Sequence, residues 1–439
     1  MDATEKNKAD EPWSFVVALA SFIGQAILGG YVYTNGIFYT IFKREFPDAS
    51  EVAVSWLCSL PITLWFIMGP LGSMVTNRFG CRLCTVAGGL LCSSSISLCF
   101  FSTNFYSLFL FYGLFAGVGN GILYVGLVTA VNRYFRKYRL AANIITPIGL
   151  TSGMAVYAAI VPQLSDVYGW RGALLILGGI SFNICALGCL LFPTGEKQQQ
   201  NSNRKILNLS ILKDHLFQVF VIQCIFCNLS SSLVFLHLPA LIISFGLGTS
   251  TGSMALTLYG IANCSGKIFH SIIGCIRKPD PTILYTCSLT ICGTAMILIP
   301  TIRNELWIII LVCIVAFTYC VTGGHNVEVI LYLVGEENIS DGLGFGQVGK
   351  AMGSLLAGPV AGLLYSGTKL YSASFYVGGS MMIFGCLLMI PIVKKIISDW
   401  RKPERDVEVV YIASKDGEKN ITLEPNHSNS ATQPMLTVT

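Results

Sequence analysis

Charge is what this chain has least of. Asp, Glu, Lys and Arg together make up 12% of its 439 residues, against about 25% in a soluble globular domain. A water-soluble fold is therefore excluded, and the remaining charges must be confined to connections between apolar segments. Histidine is scarcer still, with five residues and no metal cluster among them. The chain has no ordered Ser/His/Asp set, no phosphate-binding loop, and no GxGxxG following a strand. Neither an enzyme nor an ATP-driven pump is expected, and no cofactor or metal is called for. Strands are excluded too, because the apolar runs are too long and lack the two-residue alternation of a barrel. No cleavable leader is expected. Residues 1–12 are polar, and the first apolar run of about 30 residues exceeds a signal core of roughly 7–15.

Apolar sequence is abundant, at 53% of the residues. A bilayer core of about 30 Å needs about 20 apolar residues per helix. Twelve such stretches follow one another, near 13–42, 53–76, 83–101, 104–132, 140–162, 172–193, 214–246, 251–276, 281–300, 305–334, 341–366 and 370–398. Residues 194–213 interrupt them with a polar, basic, Gln/Asn-rich linker. The expected organisation is an N-terminal tail (1–12), a six-helix bundle (13–193), the linker (194–213), a second six-helix bundle (214–398) and a disordered tail (399–439). Equal six-span halves suggest parallel repeats about an axis along the membrane normal, with a site between them. The fold class is an all-α membrane protein of two pseudo-symmetric bundles.

Orientation follows the bias of Lys and Arg toward the cytoplasm. With the N-terminus inside, 21 of the 28 basic residues fall inside and five outside. The remaining two, Lys267 and Lys350, fall within spans. A multi-pass protein of the cell membrane with both termini cytoplasmic is expected. The asymmetry also explains the net charge of +5, so nucleic-acid binding is not implied. The sixteen cysteines sit within or beside the spans, so a disulfide framework is not expected. Cys224 and Cys227 have CxxC spacing in an apolar helix and read as packing residues.

A charge at the bilayer centre costs about 2.5–3.5 kcal/mol on insertion scales and marks a solute pathway by default. Lys267, midway along the eighth span, is such a charge. It is read either as a contact for an anionic solute or as a structural partner of Glu328 in the tenth span. His325 lies three residues from Glu328, on the same helix face, and a His–Glu pair can titrate between about pH 5 and 8. Lys350 either lines the cavity or snorkels toward the cytoplasm. Phe38 and Tyr39 read as packing.

Several motifs point to a family. After the second span comes Gly72-Ser-Met-Val-Thr-Asn77-Arg78-Phe79-Gly80-Cys81-Arg82. A glycine and arginines at a tight interhelical turn resemble the signature loop of the major facilitator superfamily, with Asn77 where an aspartate is usual. Between the fourth and fifth spans, Tyr134, Phe135, Lys137, Arg139, Ala142, Gly149 and Gly153 resemble the fifth-helix signature of the monocarboxylate transporter family. Tyr138 and Ile144 depart from it. Gly169-Trp170-Arg171-Gly172 and Gly358-Pro359-Val360-Ala361-Gly362 resemble that family's sixth and eleventh helices. Near the N-terminus, Asp10 and Trp13 fit its first-helix motif, while Glu11 and Pro12 replace two glycines.

The resemblance implies a secondary transporter working by alternating access on a small organic anion. In proton-coupled members a first-helix lysine and an eighth-helix aspartate–arginine pair carry the chemistry, and those positions fall here on Tyr33, Asn263 and Lys267. One cation therefore remains and the titratable acid is gone, which puts proton coupling in question. Glu328 matches a family glutamate, and His237 resembles a family seventh-helix position, read either as a substrate contact or as a cap for a helix break before Pro239. Glu328 and His325 are the candidates for coupling. Asn77, Arg78, Gly80, Arg82, Arg136, Lys137 and Arg139 are the candidates for a cytoplasmic gate. The alternatives are a facilitative carrier of aromatic amino acids or hormone-like solutes, and a transport-dead receptor or scaffold. Expected partners are the solute, the lipid bilayer and, as in some relatives, a single-span ancillary glycoprotein. A role for protons stays open.

Overall fold

The computed structural model describes residues 11–135, 138, 142–143, 145–192, 209–277, 280–335 and 338–401, with the backbone alone at Asn77 and a few other helical positions. The described residues up to Ile390 form one compact unit, and a second unit begins at Pro391. Among the described residues there are helices and no strand.

Ten helices are long and apolar enough to cross a bilayer. One of them, Ile148–Cys189, has 42 residues. At 1.5 Å per residue it would run about 63 Å, twice the hydrocarbon thickness. It is broken at Gly169, whose φ of 69° and ψ of 169° are non-helical, so it supplies both the fifth and the sixth spans. The eighth span, Gly248–Arg277, is also long enough at 30 residues. It is less apolar because it carries Asn263, Lys267 and His270. With these two allowances the described helices are consistent with twelve spans.

The first span is Pro12–Tyr33, continued after Thr34 as Asn35–Glu45. The second is Glu51–Phe79 and the third Cys81–Leu98. The fourth ends with Ala116–Tyr134. In the second half, the seventh is His215–Ser244 and the ninth Pro281–Leu298. The tenth is Glu305–Tyr319 followed by Val321–Val334. The eleventh is Ile339–Thr368 and the twelfth Ser372–Leu388. A further helix, Ile390–Arg401, follows. Some spans start where a side chain satisfies free backbone N–H groups. Asp214, Asp280 and Asn304 each accept from the backbone two residues on, at 2.8, 2.8 and 3.0 Å. A helix of the fifth span starts at Ile148, with Pro147 as its cap. Proline is well tolerated at a helix start, where its missing N–H has no partner to lose.

Helix pairing is two-fold symmetric. The first span packs on the fifth, the second on the fourth and the third on the sixth. Adding six to each number gives the pairs of the second half: seventh on eleventh, eighth on tenth and ninth on twelfth. Small residues allow these close approaches. A Cβ at Gly153 would collide with the carbonyl of Ala26, and one at its counterpart Gly353 would collide with that of Ile225. Between the lobes, the second span packs on the eleventh and the fifth on the eighth, and these two contacts exchange under the same operation. The face at which the first span begins is called the near face below, and the other the far face.

Candidate functional site

Lys267 sits on the contact between the lobes. Its amine is part-buried and donates to the carbonyl of Pro147 at 2.9 Å and to the Thr151 hydroxyl at 3.3 Å, both on the opposite lobe. Residues 147 and 151 lie at the start of the fifth span, where the Pro147 carbonyl heads the helix. One helical turn from Lys267, the Cys264 thiol meets Thr151 Oγ1 at 3.0 Å. One turn further, a Cβ at Gly260 would lie 2.7 Å from the Thr151 carbonyl. The face 260–264–267 of the eighth span is thus fitted against the fifth span with the ammonium at its near end. Glu328 is exposed, and among the described residues no ion pair joins it to Lys267.

Asn263 is buried, and its amide donates to the Ala316 carbonyl of the tenth span at 2.9 Å. It fastens two helices of one lobe. His270, one turn beyond Lys267, is buried beside His325 of the tenth span, with ring centroids 5.6 Å apart. No periodicity or motif singled out His270; its three-residue spacing from Lys267 is the signal that would have found it.

Tyr33 stands between the lobes. Its ring meets Trp65 of the second span at 6.0 Å and Phe235 of the seventh at 6.3 Å. Phe235 in turn packs on Tyr259 at 4.7 Å and Tyr319 at 6.2 Å, and Trp65 on Tyr124 at 5.1 Å. An aromatic group drawn from both lobes results, with the Tyr259 hydroxyl buried and lacking a protein partner. Sequence reasoning named Tyr33 alone, because the rest of the group comes from five other spans.

His237 lies elsewhere, in a closed contact toward the far face. It is fully buried, with Nδ1 2.8 Å from Ser374 Oγ and its ring 5.1 Å from both Tyr39 and Tyr371. The Tyr39 hydroxyl donates to Glu51 at 2.9 Å, and Glu51 pairs with Lys43 at 2.7 Å. A Cβ at Gly36 would strike the Phe235 carbonyl, so the first span closes tightly on the seventh here. Phe38 and Tyr39 are both fully buried, in line with packing roles.

Comparison with known proteins adds the family. Residues 13–349 match the family model described as Major Facilitator Superfamily. The chain belongs to the major facilitator superfamily. Its curated relatives include monocarboxylate transporter 6 of Mus musculus, 27% identical over 409 residues and covering 87% of each chain. Monocarboxylate transporter 13 of Rattus norvegicus is 26% identical over 87% of this chain and 89% of its own. Monocarboxylate transporter 4 of Gallus gallus is 25% identical over 87% and 82%. This facilitator is thus a multi-pass membrane protein similar to monocarboxylate transporters along most of its length.

The superfamily's loop after the second span is formed as the glycine implied. Phe79 ends one helix and Cys81 starts the next, with Gly80 between them at a φ of 89°. L-residues with a Cβ rarely adopt that φ. Arg78 and Arg82 are exposed, and Arg82 lies over the Phe192 ring at 5.3 Å. Phe192 also meets Trp13 at 5.6 Å, and Trp13 donates to the Leu190 carbonyl at 3.2 Å. Aromatic contacts therefore tie the loop to the end of the sixth span and the start of the first. Asn77 is helical, and its side chain lies outside the described residues, as do Arg136, Lys137 and Arg139.

Proposed function

We propose that this facilitator is a secondary transporter of small organic carboxylates, working by alternating access, with Lys267 as the point charge that receives the carboxylate. The observation that carries this reading is the bond from the Lys267 amine to Pro147 and Thr151 of the other lobe. A carboxylate arriving at that ammonium offers a charge-assisted acceptor in place of a carbonyl and a hydroxyl, and so makes a stronger bond. The amine that links the lobes is then shared with the solute, which couples binding to the rocking of one lobe on the other. The similarity to monocarboxylate transporters supports the solute class. The orientation with both termini cytoplasmic, the site in the plasma membrane and the division at 194–213 belong to the same reading.

Transport is read as facilitative. Asn263 spends its amide on Ala316, so the eighth span offers no acid to relay a proton. Uptake is then flat between about pH 5 and 8, where histidine titrates. A rise toward acid pH would reassign coupling to His325 and Glu328, with His270 alongside. A second reading, a carrier of aromatic amino acids or hormone-like solutes, is favoured by the aromatic group around Tyr33.

The test is uptake of labelled lactate, pyruvate, dicarboxylates and aromatic amino acids into cells making the protein. Lys267→Gln is expected to lower carboxylate uptake by about a hundredfold, in the range for losing a buried charge contact, with surface expression intact. Unchanged uptake in that variant would defeat the substrate role. Absence of uptake for the whole panel in the parent protein would favour a scaffold.

A further inference from the structure

The eleventh span carries a second lysine that the Lys267 site leaves unused. Lys350 lies eleven residues after Ile339, the near-face end of its helix, and Lys267 lies ten residues before Arg277, the near-face end of its own. At 1.5 Å per residue both stand about 15 Å in along their helices. A long lysine stem can carry its charge out to the interface, but Lys350 does not do this. Its amine donates to the carbonyl of Thr322 at 3.4 Å, and Thr322 is itself twelve residues from Val334, the near-face end of the tenth span. The ammonium is therefore held at mid-depth and only part-buried. Among the described residues that long bond is its only one, and no ion pair joins it to a carboxylate. An ammonium has three donors, so two are left for a ligand.

The surroundings are built for an acceptor. One turn from Lys350, the Ser354 hydroxyl donates to Asn228 Oδ1 of the seventh span at 3.0 Å. That fixes the Asn228 amide with its oxygen occupied and its N–H donors unused. A Cβ at Gly349 would lie 2.9 Å from the Val221 carbonyl, and one at Gly353 would lie 3.0 Å from Asn228 Cβ. The two glycines thus let the seventh span close on this face and bring Asn228 to it.

We propose that Lys350, with the N–H groups of the Asn228 amide that Ser354 holds in place, binds a second acidic group of the solute, so that the preferred cargo is a dicarboxylate. This rests on Lys267 receiving the first carboxylate. A monocarboxylate there leaves the charge of Lys350 uncompensated in the membrane interior, whereas a dianion brings a counter-charge to it.

The experiment compares uptake of the straight-chain dicarboxylates from oxalate to adipate with that of lactate and propionate, in cells with matched surface expression. The parent protein is expected to favour at least one dicarboxylate over both monocarboxylates by about tenfold or more. Lys350→Gln is expected to raise the dicarboxylate KM by about tenfold or more, as for a truncated buried charge pair, and so to lower the dicarboxylate-to-monocarboxylate uptake ratio. Lys350→Arg is expected to hold the preference. A parent protein that favours monocarboxylates, or an unchanged dicarboxylate-to-monocarboxylate ratio in Lys350→Gln, overturns the proposal while leaving the carboxylate reading intact. Loss of that broader reading shows separately, as indifference of every substrate to Lys267→Gln. Should Lys350→Gln not reach the surface, Ser354→Ala decides, because it frees the Asn228 amide to rotate: a lowered ratio supports the site, and an unchanged ratio overturns it.

Discussion

Asn263 occupies the position to which the family resemblance assigns an aspartate, and its surroundings suit the amide alone. A buried amide N–H meets a carbonyl oxygen at 2.9 Å. A carboxylate there would set two acceptors against each other, and a buried acceptor without a donor costs about 1–3 kcal/mol. Asn263→Asp is therefore expected to destabilise the protein by that amount, read as a lower midpoint of thermal unfolding in detergent. It is also expected to leave the pH profile of uptake flat. A variant as stable as the parent and newly stimulated by acid would show that the position is still wired as a relay. The sequence could name Asn263 and Lys267 as neighbours on one helix face. It could not show that one faces its own lobe and the other the opposite lobe, because a difference of four residues rotates a helix by only about 40° beyond a full turn.

At the level of helices, hydropathy located nearly every crossing, since each needs a run of about 20 apolar residues and nothing else supplies one. What it could not locate were junctions made by single residues. The fifth and sixth spans are joined at Gly169 alone, and a turn of one glycine leaves no polar stretch to mark it. The pairing of helices was visible only as an abundance of glycine, without partners. Gly153→Val tests one such partner. With Cβ aimed at the Ala26 carbonyl, overpacking of about 1–3 kcal/mol or more is expected. It should appear as reduced folded yield on size-exclusion chromatography. Normal yield and normal uptake would mean that the first and fifth spans are not held as tightly as drawn here.

For the whole molecule, the contact of the fifth span with the eighth is a joint between moving parts. Thr151 Oγ1 and Cys264 Sγ stand 3.0 Å apart across it, so Thr151→Cys places two thiols in reach of each other. A membrane-permeant oxidant is expected to join them and stop uptake, and a reductant to restore it. Full uptake with the bridge formed would rule out rocking at this joint. The far face invites a different thought. Its connections comprise residues 46–50, 102–104, the lone Gly169, 245–247, 302–304 and 369–371, none longer than five residues. Such a surface gives antibodies and proteases almost nothing to grip. An epitope tag spliced into any of these turns would have to rebuild it, so reporters belong on the chain's ends.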